Sequence, residues 1–308
     1  MNNPQKKYDI VIIGGGPAGL TAGIYAARSR QSTLLIEKGA IGGQIINAAM
    51  VENYPGYTDG ISGIDLTGAM HKQATKFGME TLYAEVTGIT ISGDLKIVRT
   101  SGGDFAAAAV ILAGGSERQK LGVSGEAAFT GRGVSYCATC DGAFFRDKEV
   151  AVVGGGNAAI TEAIELTRFA SRVTVIHRRN ELRATKIVQE KAFADPKIKF
   201  LLETVVEEIL GNNSVDRIKI RDLKSGQVSL LKLSGVFVNV GSQPATGYLK
   251  DLVKLDNNGA IIVDERLETS VPGIFAAGDI RSGSIRQVIS AAGDGAMAAV
   301  NAGKYISG

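Results

Sequence analysis

A glycine-rich turn occurs twice in this chain, each time between an apolar strand and an amphipathic helix. The first copy, Gly14 to Gly19 (GGGPAG), follows the apolar run Tyr8 to Ile13, and the second, Gly154 to Ala159 (GGGNAA), follows Glu149 to Val153. In a G-x-G-x-x-G/A turn the first glycine allows the tight turn, the second lets the backbone approach a pyrophosphate, and the third lets helix and strand pack closely. Two copies predict an α/β chain with two Rossmann-like, doubly wound nucleotide-binding domains, and therefore two nucleotides.

The residue that ends the second strand of each repeat distinguishes the two ligands. A shift of 140 residues superposes the two glycine turns and places Glu37 on His177. Glu37 can accept hydrogen bonds from ribose hydroxyls, whereas guanidinium groups bind a ribose 2′-phosphate that a carboxylate would repel. The second repeat is therefore predicted to bind NADPH rather than NADH; the alternatives are a solvated helix start or a nucleic-acid patch. The basic cluster consists of His177, Arg178, Arg179 and Arg183.

The only two cysteines, Cys137 and Cys140, stand three positions apart and are followed by Asp141. This spacing lets two thiols close a small disulfide, and Asp141 could hand a proton to a departing thiolate. A structural zinc site needs four ligands, which the histidines His71 and His177 are poorly placed to complete, so no metal is expected. A disulfide across so short a loop would constrain little of the unfolded chain. Redox chemistry is favoured, and two unrelated core cysteines remain the alternative.

Length and charge limit the class of protein. A chain of 308 residues exceeds the usual single-domain size, so two domains are expected. A net charge of +3 is too small to indicate a nucleic acid or an acidic membrane surface as partner. The apolar run Ile10 to Ile13 is too short for a signal sequence, and no stretch is long enough to span a bilayer. We therefore expect a cytoplasmic protein, in which paired cysteines are more often catalytic than structural.

Further elements are predicted between and after the two repeats. Hydrophobic patterning and turn residues predict a helix after each glycine turn, ending near Arg28 and Phe169 respectively. The other predicted elements are a helix from about Ser62 to Phe77, a small antiparallel sheet over Thr81–Thr100 with a turn at Gly93-Asp94, buried strands at Ala107–Leu112, Gly235–Val240 and Gly273–Ala277, and a final helix, about Gln287–Tyr305, that could pack closely on a cofactor.

Seven motifs resemble those of the low-molecular-weight bacterial and archaeal thioredoxin reductases, and together they cover essentially the whole chain. A CATC pair in front of the second nucleotide site is especially specific, because the glutathione reductase branch carries its pair early in the FAD domain. The motifs are GGGPAG at Gly14, GGQ at Gly42, ENYPG at Glu52, GRGVSYCATCDG at Gly131, GGGNAA at Gly154, HRRNELRA at His177 and FAAGDIR at Phe275.

The resemblance implies FAD on the first site and NADPH on the second. It implies a discontinuous FAD domain, residues 1–116 and 246–308, and an inserted NADPH domain, residues 117–245, that carries the redox disulfide. Electrons would pass from NADPH through FAD to the Cys137–Cys140 disulfide and on to the disulfide of a separate thioredoxin. Cys140 would face the flavin, and Asp141 would supply the proton. The molecule would be a homodimer built largely by the FAD domains.

The resemblance also implies which residues hold the cofactors. Glu37 would bind the adenosine ribose of FAD and Asp279 the ribityl chain, while residues 42–44 and 286–288 would lie along the flavin. The implied FAD residues are Gly14, Gly16, Pro17, Ala18, Gly19, Glu37, Gly42, Gly43, Gln44, Asn53, Asp279, Arg286, Gln287 and Val288. The implied NADPH residues are Gly154, Gly155, Gly156, Asn157, Ala158, His177, Arg178, Arg179 and Arg183.

Three positions depart from the usual residues of the family. Ala113 replaces a common Thr, Ala158 a frequent Ser or Thr, and Thr161 a usual acid near the NADPH site.

Two other functions fit the same motifs. The first rival is a related flavoprotein with a ferredoxin-type donor, or one that acts as a dithiol oxidase. The second rival is a non-catalytic redox sensor or a partner-binding protein that only holds nucleotides. Relatives that accept ferredoxin tend to lose the basic cluster, which is intact here.

Overall fold

The computed structural model describes residues 6–48 and 50–308. The chain divides into two compact units, which are described separately below. Unit 1 comprises the residues up to Glu117 together with Gln243–Gly308, and unit 2 comprises Arg118–Ser242. Unit 2 is thus an insertion between two segments of unit 1.

The described residues form seventeen strands and seven α-helices. The strands are β1 (Lys6–Ile13), β2 (Thr33–Glu37), β3 (Glu80–Tyr83), β4 (Val86–Ser92), β5 (Leu95–Thr100), β6 (Gly103–Leu112), β7 (Ser116–Arg118), β8 (Val134–Ser135), β9 (Glu149–Val153), β10 (Arg172–Ile176), β11 (Ile198–Leu201), β12 (Thr204–Gly211), β13 (Val215–Asp222), β14 (Val228–Lys232), β15 (Gly235–Val238), β16 (Ser242–Pro244) and β17 (Ile274–Ala276). The helices are α1 (Pro17–Arg28), α2 (Gly63–Lys76), α3 (Glu126–Phe129), α4 (Ala138–Asp141), α5 (Asn157–Leu166), α6 (Lys186–Ala194) and α7 (Val288–Ser307).

The main sheet of unit 1 has the strand order β3-β2-β1-β6-β5-β4, and β17 also pairs with β6. Strands β3, β2, β1, β6 and β17 run parallel, while β4 and β5 form an antiparallel hairpin. Because side chains alternate along a strand, Ile10 and Ile12 enter one core cluster and Val11 and Ile13 enter the cluster on the opposite face. Burial on both faces explains the continuous apolar run of β1.

Strand β3 corrects one prediction for unit 1. The hairpin around Gly93-Asp94 forms as predicted from β4 and β5, but β3 pairs parallel with β2 at the other edge of the sheet. The path β2-α2-β3 is a crossover connection, which places its second strand parallel to its first. A short alternating segment does not specify which strand it will join, so the sequence pattern grouped β3 with the wrong neighbours.

The final helix packs on α1, within unit 1. Its buried face is made of small residues, and a Cβ at Gly295 would meet the carbonyl of Ala18 in α1. The two helices therefore approach at backbone distance. The alanine-rich and glycine-rich composition of α7 allows this close helix contact. Close packing of α7 on a cofactor stays a prediction.

Unit 2 contains a five-stranded sheet of order β11-β10-β9-β15-β8, whose strands are all parallel. A separate antiparallel sheet has the order β12-β13-β14. Helix α5 ends at Leu166, about one turn earlier than predicted. With parallel sheets and covering helices in each unit, the predicted α/β class is confirmed. Among the described residues, no helix combines the length and the apolar character needed to cross a membrane.

Candidate redox and nucleotide sites

Three segments of unit 2 follow parallel strands at one edge of its sheet. Cys137 comes two residues after β8, Gly154 directly follows β9, and His177 directly follows β10. The strands are parallel, so their carboxyl ends lie at the same edge, which is where open α/β sheets bind ligands. The fold therefore brings the cysteine pair, the second glycine turn and the basic cluster to one edge of unit 2.

Cys137 and Cys140 form a disulfide that closes across the single turn of α4, with their Cα atoms 5.4 Å apart. The Sγ atom of Cys137 also accepts a hydrogen bond from the backbone N–H of Cys140 at 3.1 Å. Cys140 is solvent-exposed and Cys137 is half-buried. The second residue of the pair is thus exposed to solvent.

Ser135 makes hydrogen bonds to both ends of the segment Cys137–Asp141, which we call the redox loop. Its hydroxyl donates to Oδ2 of Asp141 at 2.6 Å and accepts from the backbone N–H of Cys137 at 3.1 Å. Ser135 is only 4% exposed and belongs to β8, where it stands opposite Phe237 of β15. The sequence analysis did not single out this residue. The available signal was a polar residue at the end of an apolar strand, directly before the cysteine motif.

Two carboxylates fix the segments around the redox loop. Glu126 is buried and accepts hydrogen bonds from the hydroxyl of Tyr136 and from the backbone N–H groups of Leu121 and Gly122, at 2.7–2.8 Å. Burial, together with the Glu126 carboxylate, raises the pKa of Tyr136 to about 12, so its hydroxyl stays protonated as a donor. Helix α4 is tied to α5 in the same way, by a bond of 2.9 Å from the Thr139 hydroxyl to Oε2 of Glu165.

The second glycine turn has the shape that a pyrophosphate requires. Gly154 has φ +148°, and a Cβ there would meet the carbonyl of Asn239, so a side chain is excluded. Gly156 is the N-cap of α5, and a Cβ at this position would point into open space. The first glycine is thus needed by the fold, whereas the second leaves a cradle at the helix N-terminus that a phosphate can fill.

The basic cluster folds back onto this turn. The backbone N–H of Arg183 donates to the carbonyl of Gly155 at 2.7 Å, and the N–H of Thr185 donates to Oδ1 of Asn157 at 2.7 Å. Arg178, Arg179 and Arg183 are all exposed. Within residues 6–48 and 50–308, none of these three has a carboxylate oxygen within 4 Å of its guanidinium group. Their positive charge is available for a phosphate.

His177 differs from the arginines because it is buried, with 5% of its surface exposed. Burial lowers the pKa of its imidazole, and the charges of Arg183 and Arg179 add to this effect. The ring packs against Gly155, and its buried Nε2 has no hydrogen-bond partner among the described residues. His177 therefore stands as a neutral imidazole beneath the glycine turn, with an unused polar atom.

The first glycine turn, in unit 1, follows the same rules. A Cβ at Gly16 would point into open space at the N-cap of α1. Glu37, the last residue of β2, accepts hydrogen bonds from the backbone N–H groups of Gly15 and Gly39, both at 2.7 Å. These bonds hold the carboxylate beside the turn and leave lone pairs free for ribose hydroxyls. A cradle with an adjoining fixed carboxylate fits the adenosine end of a dinucleotide.

Other residues implied for the FAD site lie in unit 1. Asn53 donates from Nδ2 to Oε1 of Gln287 at 2.8 Å, across a sequence separation of 234 residues. Gln44 donates from its side chain to the carbonyl of Ser116. Gln287 caps α7, which begins at Val288. The contacts bring the ENYPG segment and the start of α7 together.

Asp279 lies just beyond β17, at the same sheet edge as the first glycine turn. Burial raises the pKa of its carboxyl, while a hydrogen bond from the Ser284 hydroxyl at 3.2 Å and the nearby Arg286 act in the opposite direction. Arg286 has φ +56°, an unusual conformation for a residue other than glycine. Asp279 is therefore a carboxyl group with little access to water.

An ion pair that the sequence analysis missed lies close to Asp279 in the chain. Arg281 donates from Nε and Nη2 to the two oxygens of Asp294 in α7, at 2.6 and 2.9 Å. The same carboxylate accepts from the backbone N–H of Gly278 at 3.0 Å. This bidentate pair holds the Gly278–Ile280 turn to α7. The motif FAAGDIR contained Arg281, but nothing local identified its partner 13 residues later.

Among residues 6–48 and 50–308, no group of three or more His, Cys, Asp or Glu side chains is arranged to hold a metal ion.

Comparison with known proteins identifies the family to which the chain is similar. The family model of the pyridine nucleotide-disulphide oxidoreductases matches residues 8–295. Thioredoxin reductases from Listeria innocua and Bacillus subtilis are each 46% identical, and the alignments cover 99% and 98% of this chain and 96% of each relative. The crystal structure of Lactococcus lactis thioredoxin reductase in its FR conformation matches with a TM-score of 0.95 and 45% identity, covering 97% of this chain and 99% of that one.

Proposed function

Because the chain belongs to the pyridine nucleotide-disulphide oxidoreductases and, within them, to the low-molecular-weight thioredoxin reductases, we propose that it uses NADPH to reduce the disulfide of a thioredoxin. It is an oxidoreductase, and its family uses a flavin and a pyridine nucleotide.

The observation that carries the proposal lies in unit 2. A Cys-x-x-Cys disulfide shares a sheet edge with a nucleotide turn and a set of unpaired arginines. A protein that only holds nucleotides has no use for a disulfide at that edge, whereas a reductase uses it for exchange with a partner. A redox sensor would also use an exposed disulfide. The similarity to curated thioredoxin reductases favours the enzyme over the sensor.

We assign FAD to unit 1. The fit rests on the open cradle at Gly16, the fixed carboxylate of Glu37 for the adenosine ribose, and the half-buried carboxyl of Asp279 for the ribityl hydroxyls. Asn53 and Gln287, which contact each other, would lie near the isoalloxazine ring. When bound, FAD supplies hydride acceptance from the nicotinamide and two-electron transfer to the disulfide.

We assign NADPH to unit 2. Gly154 to Ala158 would hold the pyrophosphate, and the arginines at 178, 179 and 183 would hold the 2′-phosphate. The free guanidinium groups explain a preference for NADPH, because NADH lacks the group that they bind. His177 would contribute its unpaired Nε2 from below the turn.

Thioredoxin is the proposed acceptor of electrons from the reduced pair. Phe144, four residues after Cys140, is 74% exposed, and an exposed aromatic side chain beside a redox pair is suited to anchor a protein partner. We further propose that the enzyme is a cytoplasmic homodimer whose interface is built by unit 1. Light scattering coupled to size-exclusion chromatography checks the oligomeric state.

The first experiment follows flavin absorbance after anaerobic mixing of the purified protein with NADPH or, separately, NADH at matched concentrations. We expect fast bleaching by NADPH and slow bleaching by NADH. Addition of oxidised thioredoxin to the reduced enzyme should restore the yellow colour within turnover time. Absence of bleaching by both nucleotides would contradict NADPH as donor and favour a ferredoxin-type donor. Bleaching without reoxidation by thioredoxin would contradict thioredoxin as acceptor.

A further inference from the structure

We propose that Ser135 is a positioning residue, which holds Asp141 in the orientation needed for proton transfer during disulfide exchange. The inference rests on the proposed function for the role of Asp141, and it concerns a residue to which neither the motifs nor the family comparisons gave a role. It depends on three features of the structure: where Ser135 is anchored, which atoms its hydroxyl contacts, and what the exchange reaction requires.

Ser135 belongs to the sheet and lies directly before the redox loop in the chain. It is the last residue of β8, it pairs with Phe237 of β15 in the parallel sheet, and it is 4% exposed. Asp141, by contrast, is at the end of the single-turn helix α4 and is only partly buried. A short helix of this kind has little stability of its own. A side chain at its end needs a contact with the sheet to keep one orientation.

The hydroxyl of Ser135 supplies that contact in a specific way. A serine hydroxyl has one proton, and two acceptors lie within reach of it: Oδ2 of Asp141 at 2.6 Å and the carbonyl oxygen of Cys137 at 3.3 Å. The much shorter contact, to Asp141, is the one that uses the proton. A lone pair of the same oxygen accepts the N–H of Cys137 at 3.1 Å. One buried atom thus fixes the backbone of the first cysteine and the carboxylate that follows the second. Neither bond involves a sulfur atom, so we expect both to persist when the disulfide is reduced.

The exchange step explains why this orientation matters. The Asp141 carboxylate takes the proton of the attacking thiol of the reduced pair. The resulting thiolate forms a bond to one sulfur of the partner disulfide, and the partner S–S bond breaks. The other partner sulfur leaves as a thiolate and receives the proton from Asp141. The second thiol of the pair then loses its proton and attacks the enzyme sulfur of the mixed disulfide. The Cys137–Cys140 bond forms, the bond to the partner breaks, and the partner's remaining sulfur leaves and takes up that proton, so the partner is released as a dithiol.

Such a carboxylate must keep one orientation and must remain able to exchange its proton. A cation in the place of Ser135 would orient Asp141 but would hold it ionised, whereas a neutral hydroxyl orients it through one oxygen only. General acid–base groups contribute about 10²–10⁴-fold to a rate when they are well placed, so loss of their alignment costs part of that factor.

The test is the variant Ser135→Ala, compared with Thr174→Val. Thr174 carries another buried hydroxyl of the same sheet, in β10, and serves as the matched control. For Ser135→Ala we expect kcat with thioredoxin to fall about tenfold, with KM for thioredoxin and the rate of flavin reduction by NADPH unchanged. Thr174→Val should keep the wild-type kcat. Ser135→Thr, which retains the hydroxyl, should recover most of the loss.

A double-mutant cycle separates positioning from a general loosening of the loop. If Ser135 acts through Asp141, adding Ser135→Ala to Asp141→Asn lowers kcat no further. A wild-type kcat for Ser135→Ala, an additive loss in the double variant, or an equal loss in Thr174→Val would each overturn the inference. If wild-type protein is reduced by NADPH but does not reduce thioredoxin, the proposed acceptor is wrong. The same cycle is then run with a small aromatic disulfide as acceptor, which tests Ser135 independently.

Discussion

At the scale of single residues, the basic cluster after β10 contains two kinds of group. Three arginines are exposed and have no acidic partner in the described part of the chain, while His177 is buried and neutral. From the sequence, these four residues were predicted to form one basic cluster. The arginines carry the positive charge of the cluster, whereas the histidine is neutral because it is buried. A local pattern of charged residues does not reveal which of them is buried.

The arginines should determine the choice between NADPH and NADH. For Arg178→Gln combined with Arg183→Gln we expect KM for NADPH to rise by about 10²-fold, because two charge-assisted contacts to the 2′-phosphate are lost. KM for NADH should change by less than about threefold, since NADH lacks that phosphate. Steady-state kinetics with both nucleotides provides the measurement. Arg217→Gln, in the antiparallel sheet of unit 2, is the control, and a parallel rise for both nucleotides would contradict the assignment.

His177 should make the stability of the protein depend on pH. Its pKa is lowered in the folded state by burial, so between that value and the ordinary pKa of about 6.5 the unfolded chain binds more protons than the folded one. The free energy of unfolding should therefore fall as the pH is lowered through 6.5. His177→Asn should show a smaller fall between pH 7.5 and 5.5 in urea titrations. An unchanged slope in His177→Asn would show that another group is responsible.

At the scale of elements, each nucleotide site is a strand, a turn and a helix whose local sequence is informative. Tight turns, apolar runs and helix starts depend on neighbouring residues, so β1, α1, β9 and the start of α5 follow the predicted pattern. The partner of an element depends on distant residues. Strand β3 joined β2 instead of the β4–β5 hairpin, and α7 packed on α1, for that reason.

The two outer glycines of the second turn should respond differently to the same substitution. Gly156→Val adds a side chain toward open space, so the protein should fold and retain its flavin but lose fast reduction by NADPH, with KM raised at least about tenfold. Gly154→Val requires φ +148° and a contact with the carbonyl of Asn239, so unit 2 should fail to fold. Flavin content, thermal melting and anaerobic reduction rates measure both outcomes. Fast reduction of Gly156→Val would place the nucleotide elsewhere.

At the scale of the whole molecule, the two compact units have different proposed roles. Unit 1 has the features of a flavin site, and unit 2 combines the nucleotide turn with the disulfide. If electrons enter through the nucleotide site and leave through the cysteine pair, the two halves of the reaction are separable by mutation. That separation also distinguishes an enzyme from a protein that only senses redox state.

Cys140→Ser is the variant that tests the separation. Flavin reduction by NADPH should continue at a rate within about twofold of wild type, because hydride transfer to the flavin precedes electron transfer to the cysteine pair. Turnover with thioredoxin should fall below detection, because a single thiol neither forms nor re-forms the disulfide. Stopped-flow absorbance and a thioredoxin reduction assay give the two rates. Thioredoxin turnover by this variant would show that the pair is not the exit for electrons.

The sequence alone determined the kind of chemistry, because chemistry here depends on residue types at short fixed spacings. The CATC pair, two glycine turns in register and an acid matched against a basic cluster predicted the α/β class and a reductase of the thioredoxin reductase family. The tertiary structure decided which groups support those motifs. Ser135 meets Asp141, Arg281 meets Asp294, and Asn53 meets Gln287 only after distant or differently folded segments pack together. Contacts of this kind depend on the packed chain, so no local pattern specifies them.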